Sequence, residues 1–290
     1  MNYRHAFHAG NFADVVKHAT LGRMVAHLKE KPSAFRLIDT HAGAGLYDLT
    51  GPEASRTGEW RSGIGRLRAA RLDPAVRDLL APYLDAVAAL NPDGGLGVYP
   101  GSPALARAWL RPQDRLVTCE LEPKAAAALA AALRGDARIK VVAIDGYTAL
   151  NAYVPPPERR GLVLIDPPFE QPGEFERLTE SLARAHSKWP TGTYLAWYPL
   201  KDAYETGRFA RALARLGVPR ILRAELTVAG GVAATSGAAA PQRLSGTGMI
   251  VVNPPWRLED ELRLMLPALA AALAEDGRGA FRLDRLAGEK

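Results

Sequence analysis

The chain reads as an α/β protein built on a doubly wound, mostly parallel sheet of seven strands with a small helical insertion. Three observations carry that expectation. Apolar runs of strand length alternate with helical stretches, as parallel strands joined by helical crossovers require. The first run ends in a glycine turn, Gly43-Ala44-Gly45. Carboxylates then close successive runs at Glu120, Asp145 and Asp166, and the carboxyl ends of strands are where open α/β sheets hold their ligands.

Taken in order, residues 11 to 31 have the spacing of an amphipathic helix: Asn11 suits its cap, Asp14 its first turn, and Val15, Ala19 and Leu28 recur at helical intervals. Asp14, Lys17 and His18 then share a face. Ala34 to Asp39 is expected as the first strand, running into the glycine turn. From Leu49 to Val98 the chain is helical in character and rich in Arg, Gly and Pro. This predicts a helical subdomain over residues 49–98, inserted between the first and second core strands of one domain spanning 1–290. Strands are expected at Arg115 to Cys119, Ile139 to Ile144 and Leu162 to Asp166, with helices over Pro123 to Arg134 and Glu174 to Lys188. Thr193 to Tyr198, Ile221 to Val228 and Met249 to Val252 complete the seven, with helices near 203–215 and 259–275. Ala229 to Gly246 is a Gly, Ala and Ser loop, of a length that is usually functional or mobile.

A chain of 290 residues lies near the upper limit of one domain. Ala125 to Leu133 and Leu266 to Ala274 are apolar but too short to span a bilayer, and the N-terminus lacks the apolar core of a signal peptide. A cytoplasmic protein with no membrane partner is expected, and a monomer, since the fold needs no second copy. The single cysteine, Cys119, excludes an internal disulfide and fits a reducing compartment, with a packing role in its strand. His5, His8 and His18 have no cysteine or carboxylate spaced to complete a metal site, so no metal is expected. The net charge of +6 and pI near 9.5, mostly from arginine, favour an acidic partner such as nucleic acid.

The chemistry concentrates in Asp166-Pro167-Pro168-Phe169, which follows the apolar run Leu162 to Ile165. Proline fixes φ and removes a donor, so the carbonyls of Asp166 and Pro167 stay free to accept bonds. An amine held by such acceptors, its ring stacked on Phe169, is what an enzyme methylating the exocyclic amine of a nucleobase needs. Asp-Pro-Pro is equally an ordinary way to end a strand. A second candidate, Asn253-Pro254-Pro255-Trp256, also follows an apolar run. Asp166 ends the fourth strand beside the topological switch point, whereas Asn253 ends the last strand near the sheet edge, so Asn253 is read as a structural turn. Glu120 is the candidate for ribose hydroxyls. It lies 75 residues past Gly45 rather than the usual roughly 20, a gap the insertion accounts for. Asp145 can accept a bond from an adenine amine while Gly146 lets the ring lie close, although a bare Asp-Gly is an ordinary turn. Lys17 or His18 can take the carboxylate of a methionine-like tail, and Tyr3 and Arg4 can reach a nucleotide. A nicotinamide-dependent oxidoreductase shares the glycine turn but leaves the Asp166 tetrapeptide without work. A non-catalytic RNA-binding protein explains the charge but not the ordered site.

Tyr3-Arg4-His5-Ala6-Phe7-His8-Ala9-Gly10-Asn11, Asp39-Thr40-His41-Ala42-Gly43-Ala44-Gly45, Arg56-Thr57-Gly58-Glu59, Tyr99-Pro100-Gly101-Ser102-Pro103, Asp145-Gly146, Asp166-Pro167-Pro168, Trp197-Tyr198-Pro199 and Asn253-Pro254-Pro255-Trp256 together resemble the bacterial 23S ribosomal RNA adenine-N6 methyltransferases, the ribosomal RNA large subunit methyltransferase J family. The likeness runs nearly from end to end. It implies a Rossmann-like S-adenosylmethionine-dependent methyltransferase fold with an inserted helical subdomain, and 23S ribosomal RNA as the partner. Its product would be N6-methyladenosine. By the same resemblance His18, His41, Ser102, Glu120, Asp145, Gly146 and Asp166 fall on cofactor-binding positions, and Lys17 faces the methionine end. Asp166 is also the catalytic carboxylate, and Tyr3 falls on a position associated with the RNA. Phe169 departs from the tyrosine common in the family, keeping the stacking face and losing the hydroxyl. Adenine-specific DNA methyltransferases share the local tetrapeptide, and the full-length likeness favours ribosomal RNA over them.

Overall fold

The structure, a computed structural model, describes residues 4–229 and 244–288. Tyr3 and nearly all of the Ala229 to Gly246 loop lie outside the described residues. Helix α1 (Phe12–Lys29) starts where the Asn11 side chain accepts the N–H groups of Ala13 and Asp14. The expected amphipathic stripe is not what forms: α1 is buried over most of its surface, Lys17 and His18 included. The sheet covers one side of it and later helices cover the other.

Strand β1 (Arg36–Asp39) leads through the glycine turn into a short strand β2 (Leu46–Asp48). The chain then makes a helical excursion through α2 (Pro52–Thr57), an irregular helical stretch Arg61–Gly65, α3 (Arg66–Ala69) and α4 (Pro74–Ala89), and returns as β3 (Val98–Pro100). β2 and β3 pair antiparallel and close the excursion like a clasp. Gly63 anchors it to the start of α1, because a Cβ there would lie 2.1 Å from the Gly10 carbonyl oxygen. Then follow α5 (Ser102–Trp109), β4 (Arg115–Cys119), α6 (Pro123–Ala132), β5 (Ile139–Val142), α7 (Gly146–Tyr153), β6 (Gly161–Ile165), α8 (Glu174–Lys188), β7 (Thr193–Pro199), α9 (Ala203–Ala214), β8 (Ile221–Thr227), β9 (Gly246–Val252), α10 (Leu258–Leu273) and β10 (Ala280–Ala287).

The main sheet has eight strands, not seven, in the order β10-β8-β9-β7-β6-β1-β4-β5. Strands β5, β4, β1, β6 and β7 run parallel, while β9 lies antiparallel between β7 and β8, and β10 lies antiparallel to β8. The unexpected eighth strand, Ala280–Ala287, carries Arg282, Asp284 and Arg285 among its apolar residues, which hides its period. Alternate side chains serve opposite faces: Leu162 and Leu164 pack towards α1, α4 and α10, while Val163 and Ile165 pack towards α7, α8 and α9.

From β1 the chain winds to one side for β4 and β5, then returns to the other for β6 and β7. The switch point therefore lies between β1 and β6. Asn253 is a structural turn for a reason other than the expected one. Its strand is interior, but β9 runs against β7, so Asn253 emerges at the opposite end of the sheet from Asp166. Its amide is spent there on the carbonyls of Pro190 and Gly192 and on Arg220.

Candidate active site

Along the carboxyl edge of the parallel strands Asp166, Asp39 and Glu120 terminate or directly follow β6, β1 and β4, and Asp145 lies three residues beyond β5; the four strands are neighbours in that order. Asp166 is partly buried and its Oδ2 lies 2.5 Å from Lys17 Nζ. Lys17, 5% exposed at its side chain, also meets Asp14 Oδ1 at 2.8 Å. Asp14 and Lys17 are one helical turn apart on α1, so one buried ammonium bridges two carboxylates from distant parts of the chain. Asp14 is further held by His5 Nε2 at 3.0 Å and the Gly10 N–H at 2.9 Å. Burial opposes charge on both partners, but their neighbours win: His5 and then Lys17 hold Asp14 well below its ordinary range, and the Asp14 and Asp166 carboxylates hold Lys17 well above its own. Among the described residues no protein donor reaches Asp166 Oδ1, and this oxygen stays open.

Proline follows proline at 167 and 168, and Phe169 then takes a left-handed backbone, φ 49°. An aromatic residue adopts that conformation only when its surroundings enforce it. Phe175 and Trp197 do so, their ring centroids at 4.8 and 5.7 Å from that of Phe169.

Around β1, Asp39 is buried and its Oδ2 accepts the Ser102 hydroxyl at 2.7 Å. The next residue, Thr40, donates its hydroxyl to the Leu164 carbonyl and so accepts from His41 Nδ1–H at 2.8 Å, which leaves the His41 Nε2 lone pair available. Glu120 takes the Gly43 N–H on Oε2 and the Glu122 N–H on Oε1, both at 2.8 Å, with one lone pair per oxygen to spare. Asp145 caps α7 through Thr148 and pairs with Arg177 at 3.2 Å. Burial pushes Asp145 up, yet these bonds hold it below the usual range. Gly146 is required by close approach: a Cβ there would stand 2.3 Å from the Thr40 carbonyl oxygen and 2.5 Å from the His41 ring. His18 bonds the Tyr99 hydroxyl through Nδ1 at 2.8 Å, and Tyr99 in turn meets Tyr83 at 2.9 Å.

Among the described residues, the structure thus gathers Lys17, His18, His41, Ser102, Glu120, Asp145, Gly146, Asp166 and Phe169 at one end of the sheet. Asp14, Asp39, Tyr99, Trp197 and Arg177 join them without having been singled out for the site. Asp14 is signalled by its spacing of three and four residues from Lys17 and His18, Asp39 by its place at the end of the first strand before the glycine turn, and Tyr99 and Trp197 by the family-like motifs that contain them, while nothing in the sequence marks Arg177. No three His, Cys, Asp or Glu side chains among the described residues form a metal-binding group.

Residues 32–286 match the family model described as ribosomal RNA large subunit methyltransferase D, RlmJ. The chain belongs to this family. It is 39% identical over 279 residues to ribosomal RNA large subunit methyltransferase J of Escherichia coli K12, covering 96% of each chain. The corresponding protein of Haemophilus influenzae is 37% identical over 286 residues, 98% of each. The fold is also that of a crystal structure of a Legionella pneumophila protein, with 33% identity, 96% and 98% coverage of the two chains and a TM-score of 0.85.

This family member buries two imidazoles in their neutral form. Burial pushes His18 down to about 3 and His41 down to about 4. A histidine that takes up its proton near 6.5 when unfolded but only near 3 or 4 when folded withdraws stability as pH falls below about 6.5, by up to about 1.4 kcal/mol per pH unit. Asp39, pushed up to about 7 by burial, acts in the opposite sense, since its extra proton is bound in the folded state. Two protons against one leave a net loss. The urea midpoint is expected to fall between about pH 6 and pH 4.5, and His18→Gln should flatten that slope by about one proton. An unchanged slope in His18→Gln would mean that His18 does not enter the folded state uncharged.

Proposed function

We propose that the protein transfers a methyl group from S-adenosylmethionine to the N6 amine of an adenine in 23S ribosomal RNA. The observation that carries this reading is the divided Asp166 carboxylate: one oxygen is fixed to a buried lysine and the other is open, beside a rigid Pro-Pro turn and an aromatic platform.

The residues present fit the cofactor. Among the described residues the buried side-chain atoms without a partner include His18 Nε2 and Asp39 Oδ1, both belonging to this site. Glu120, with a spare lone pair on each oxygen, suits the two ribose hydroxyls. Asp145 and Gly146 would take the adenine edge, and His41 and Ser102 the middle of the molecule. Lys17 keeps one of its three donors for the methionine carboxylate. Bound there, the cofactor supplies an electrophilic methyl group.

The N6 lone pair of adenine is delocalised into its ring, so the amine attacks poorly until its hydrogens are held. Asp166 Oδ1 and the Pro167 carbonyl are the acceptors that draw the nitrogen towards a pyramidal shape. Asp166 then takes the proton that the amine sheds as positive charge develops. An N-methylated exocyclic ammonium is a strong acid, so a carboxylate neutralised by Lys17 is base enough. Stacking on Phe169 offsets part of the few kcal/mol, roughly, that unstacking the base costs. The positive charge of the chain supports binding to the RNA backbone, with affinity falling steeply as salt rises.

The experiment that tests the reading is transfer of labelled methyl to unmodified large-subunit ribosomal RNA, with genomic DNA in parallel. N6-methyladenosine at a single RNA position is the expected product. Label in DNA alone would transfer the chemistry to another substrate, and no label in either would refute the assignment.

A further inference from the structure

The second proline pair has no part in the chemistry above. Asn253 holds a left-handed backbone, φ 53°, and its side-chain bonds to Pro190, Gly192 and Arg220 fix the turn that carries Pro254, Pro255 and Trp256. The turn thus presents Trp256 rigidly to solvent, 75% exposed. A lone exposed apolar side chain carries no meaning by itself. Here, however, the Arg257 guanidinium lies over the indole, 4.4 Å from its centroid, and steadies the ring while most of it stays open.

The surroundings are cationic. The turn lies at the amino ends of the parallel strands, where Lys29, Lys31, Arg159, Arg220 and Arg257 are exposed. Short contacts join these groups into one patch: Arg220 bonds Asn253, Arg257 meets Glu30 at 3.7 Å, and Arg111 and Arg160 bond backbone carbonyls within residues 28–33. The exposed carboxylates beside it are Glu30, already met by Arg257 and by His27 at 3.3 Å, and Asp260 in the first turn of α10. Asp114 and Glu158 are spent on Arg111 and Arg36. Burial, and after it the Arg111 charge, pushes Arg160 below its ordinary range, as an excess of positive charge does. From β8 to β4 this end of the sheet is about 24 Å wide, five strand spacings of about 4.8 Å, which gives room for several successive phosphates.

We propose that Trp256, with Arg257, Lys29, Lys31 and Arg220, forms a second RNA-binding surface, which stacks an unpaired base on the indole and holds the neighbouring phosphates on the cations. A base gains by stacking on an aromatic ring whatever its identity, and phosphates supply the negative charge that this end of the sheet lacks. The surface goes beyond the methyl-transfer reading. Strand β6 runs five residues, about 16 Å, from this end towards Asp166, so a base seated here is out of reach of the reacting groups and serves to hold the RNA. A membrane calls for several apolar side chains, and Trp256 stands alone on its turn. An acidic peptide satisfies the charges and leaves the indole idle.

The test is fluorescence anisotropy of the full chain with a labelled single-stranded RNA oligonucleotide, with the same strand made abasic, and with its duplex, over a range of salt. Trp256→Ala should weaken the single strand about tenfold and Trp256→Phe far less, while the abasic strand and the duplex, which offer no free base, bind both variants as they bind wild type. Lys29→Gln with Lys31→Gln should flatten the plot of log affinity against log salt by about 1.4, two contacts at about 0.7 each, whereas Trp256→Ala keeps the wild-type slope. These side chains are all exposed, so the variants keep the fold. Wild-type affinity of Trp256→Ala for the single strand, or an equal loss with the abasic strand, would overturn the inference. Polyglutamate or phosphatidylserine vesicles, bound as tightly as the RNA and lost as much in Trp256→Ala, would overturn it in favour of an acidic protein or a membrane. The readout is binding, so a wild-type protein that transfers no methyl group to ribosomal RNA removes the function proposed above and not this result.

Discussion

Asp166→Asn is expected to lower single-turnover methyl transfer by about 10³-fold, within the 10²–10⁴ range of a positioned proton acceptor, while cofactor and RNA affinities stay within about threefold. Asparagine has the same shape and still offers Lys17 an oxygen. It leaves an amide N–H where the amine's own hydrogen should be received, so it repels the group it would have to orient. Rapid-quench transfer with saturating RNA separates the chemical step from binding. A loss smaller than about tenfold would show that the open Asp166 oxygen is not the acceptor.

Lys17→Met should destabilise the fold by about 3–5 kcal/mol, because it strands two carboxylates around one buried apolar side chain. The sign with pH distinguishes this from simple repacking. In the wild type Asp14 is held well below its ordinary range, so its contribution is present above pH 4, roughly, and fades only in stronger acid. Without the lysine, His5 and the Gly10 N–H oppose the burial of Asp14 only in part, so its proton affinity rises and the deficit should shrink as pH falls towards about 4. Urea titrations of the variant at several pH values measure this. Asp14→Asn combined with Lys17→Met should cost clearly less than the two single changes added together. Additive losses would show that the Lys17 ammonium and Asp14 do not stabilise one another.

What was legible in the chain was what sits next to its own strand. Glu120, Asp145 and Asp166 each close a run of apolar residues, so position along the sheet follows from local sequence. The expected Leu49 to Val98 stretch falls on the helical excursion between β1 and β4, because arginine, glycine and proline interrupt any strand pattern there. The contacts that complete the site were not legible, since they join residues far apart: Asp39 with Ser102 across 63 positions, His18 with Tyr99 across 81, and Lys17 with Asp166 across 149. Nothing in a linear pattern ranks such pairs. Lys17 looked like a ligand-facing cation, whereas two of its three donors are engaged by carboxylates of the protein. The eighth strand escaped notice because its charges follow the needs of an edge rather than of a core.

Those charges have a consequence for how the molecule meets other molecules. Without β10, the apolar strand β8 would offer a row of unpaired backbone groups, a template on which another chain's strand can add itself. β10 occupies that row and presents Arg282, Asp284 and Arg285 along its length, with Asp284 locked to Arg223 at 2.6 Å. At the far side β5 is only four residues long and bears exposed Lys140. Neither margin of the sheet invites growth, so recognition is left to side chains and loops, and the backbone of the sheet serves only to hold the row of carboxylates in line.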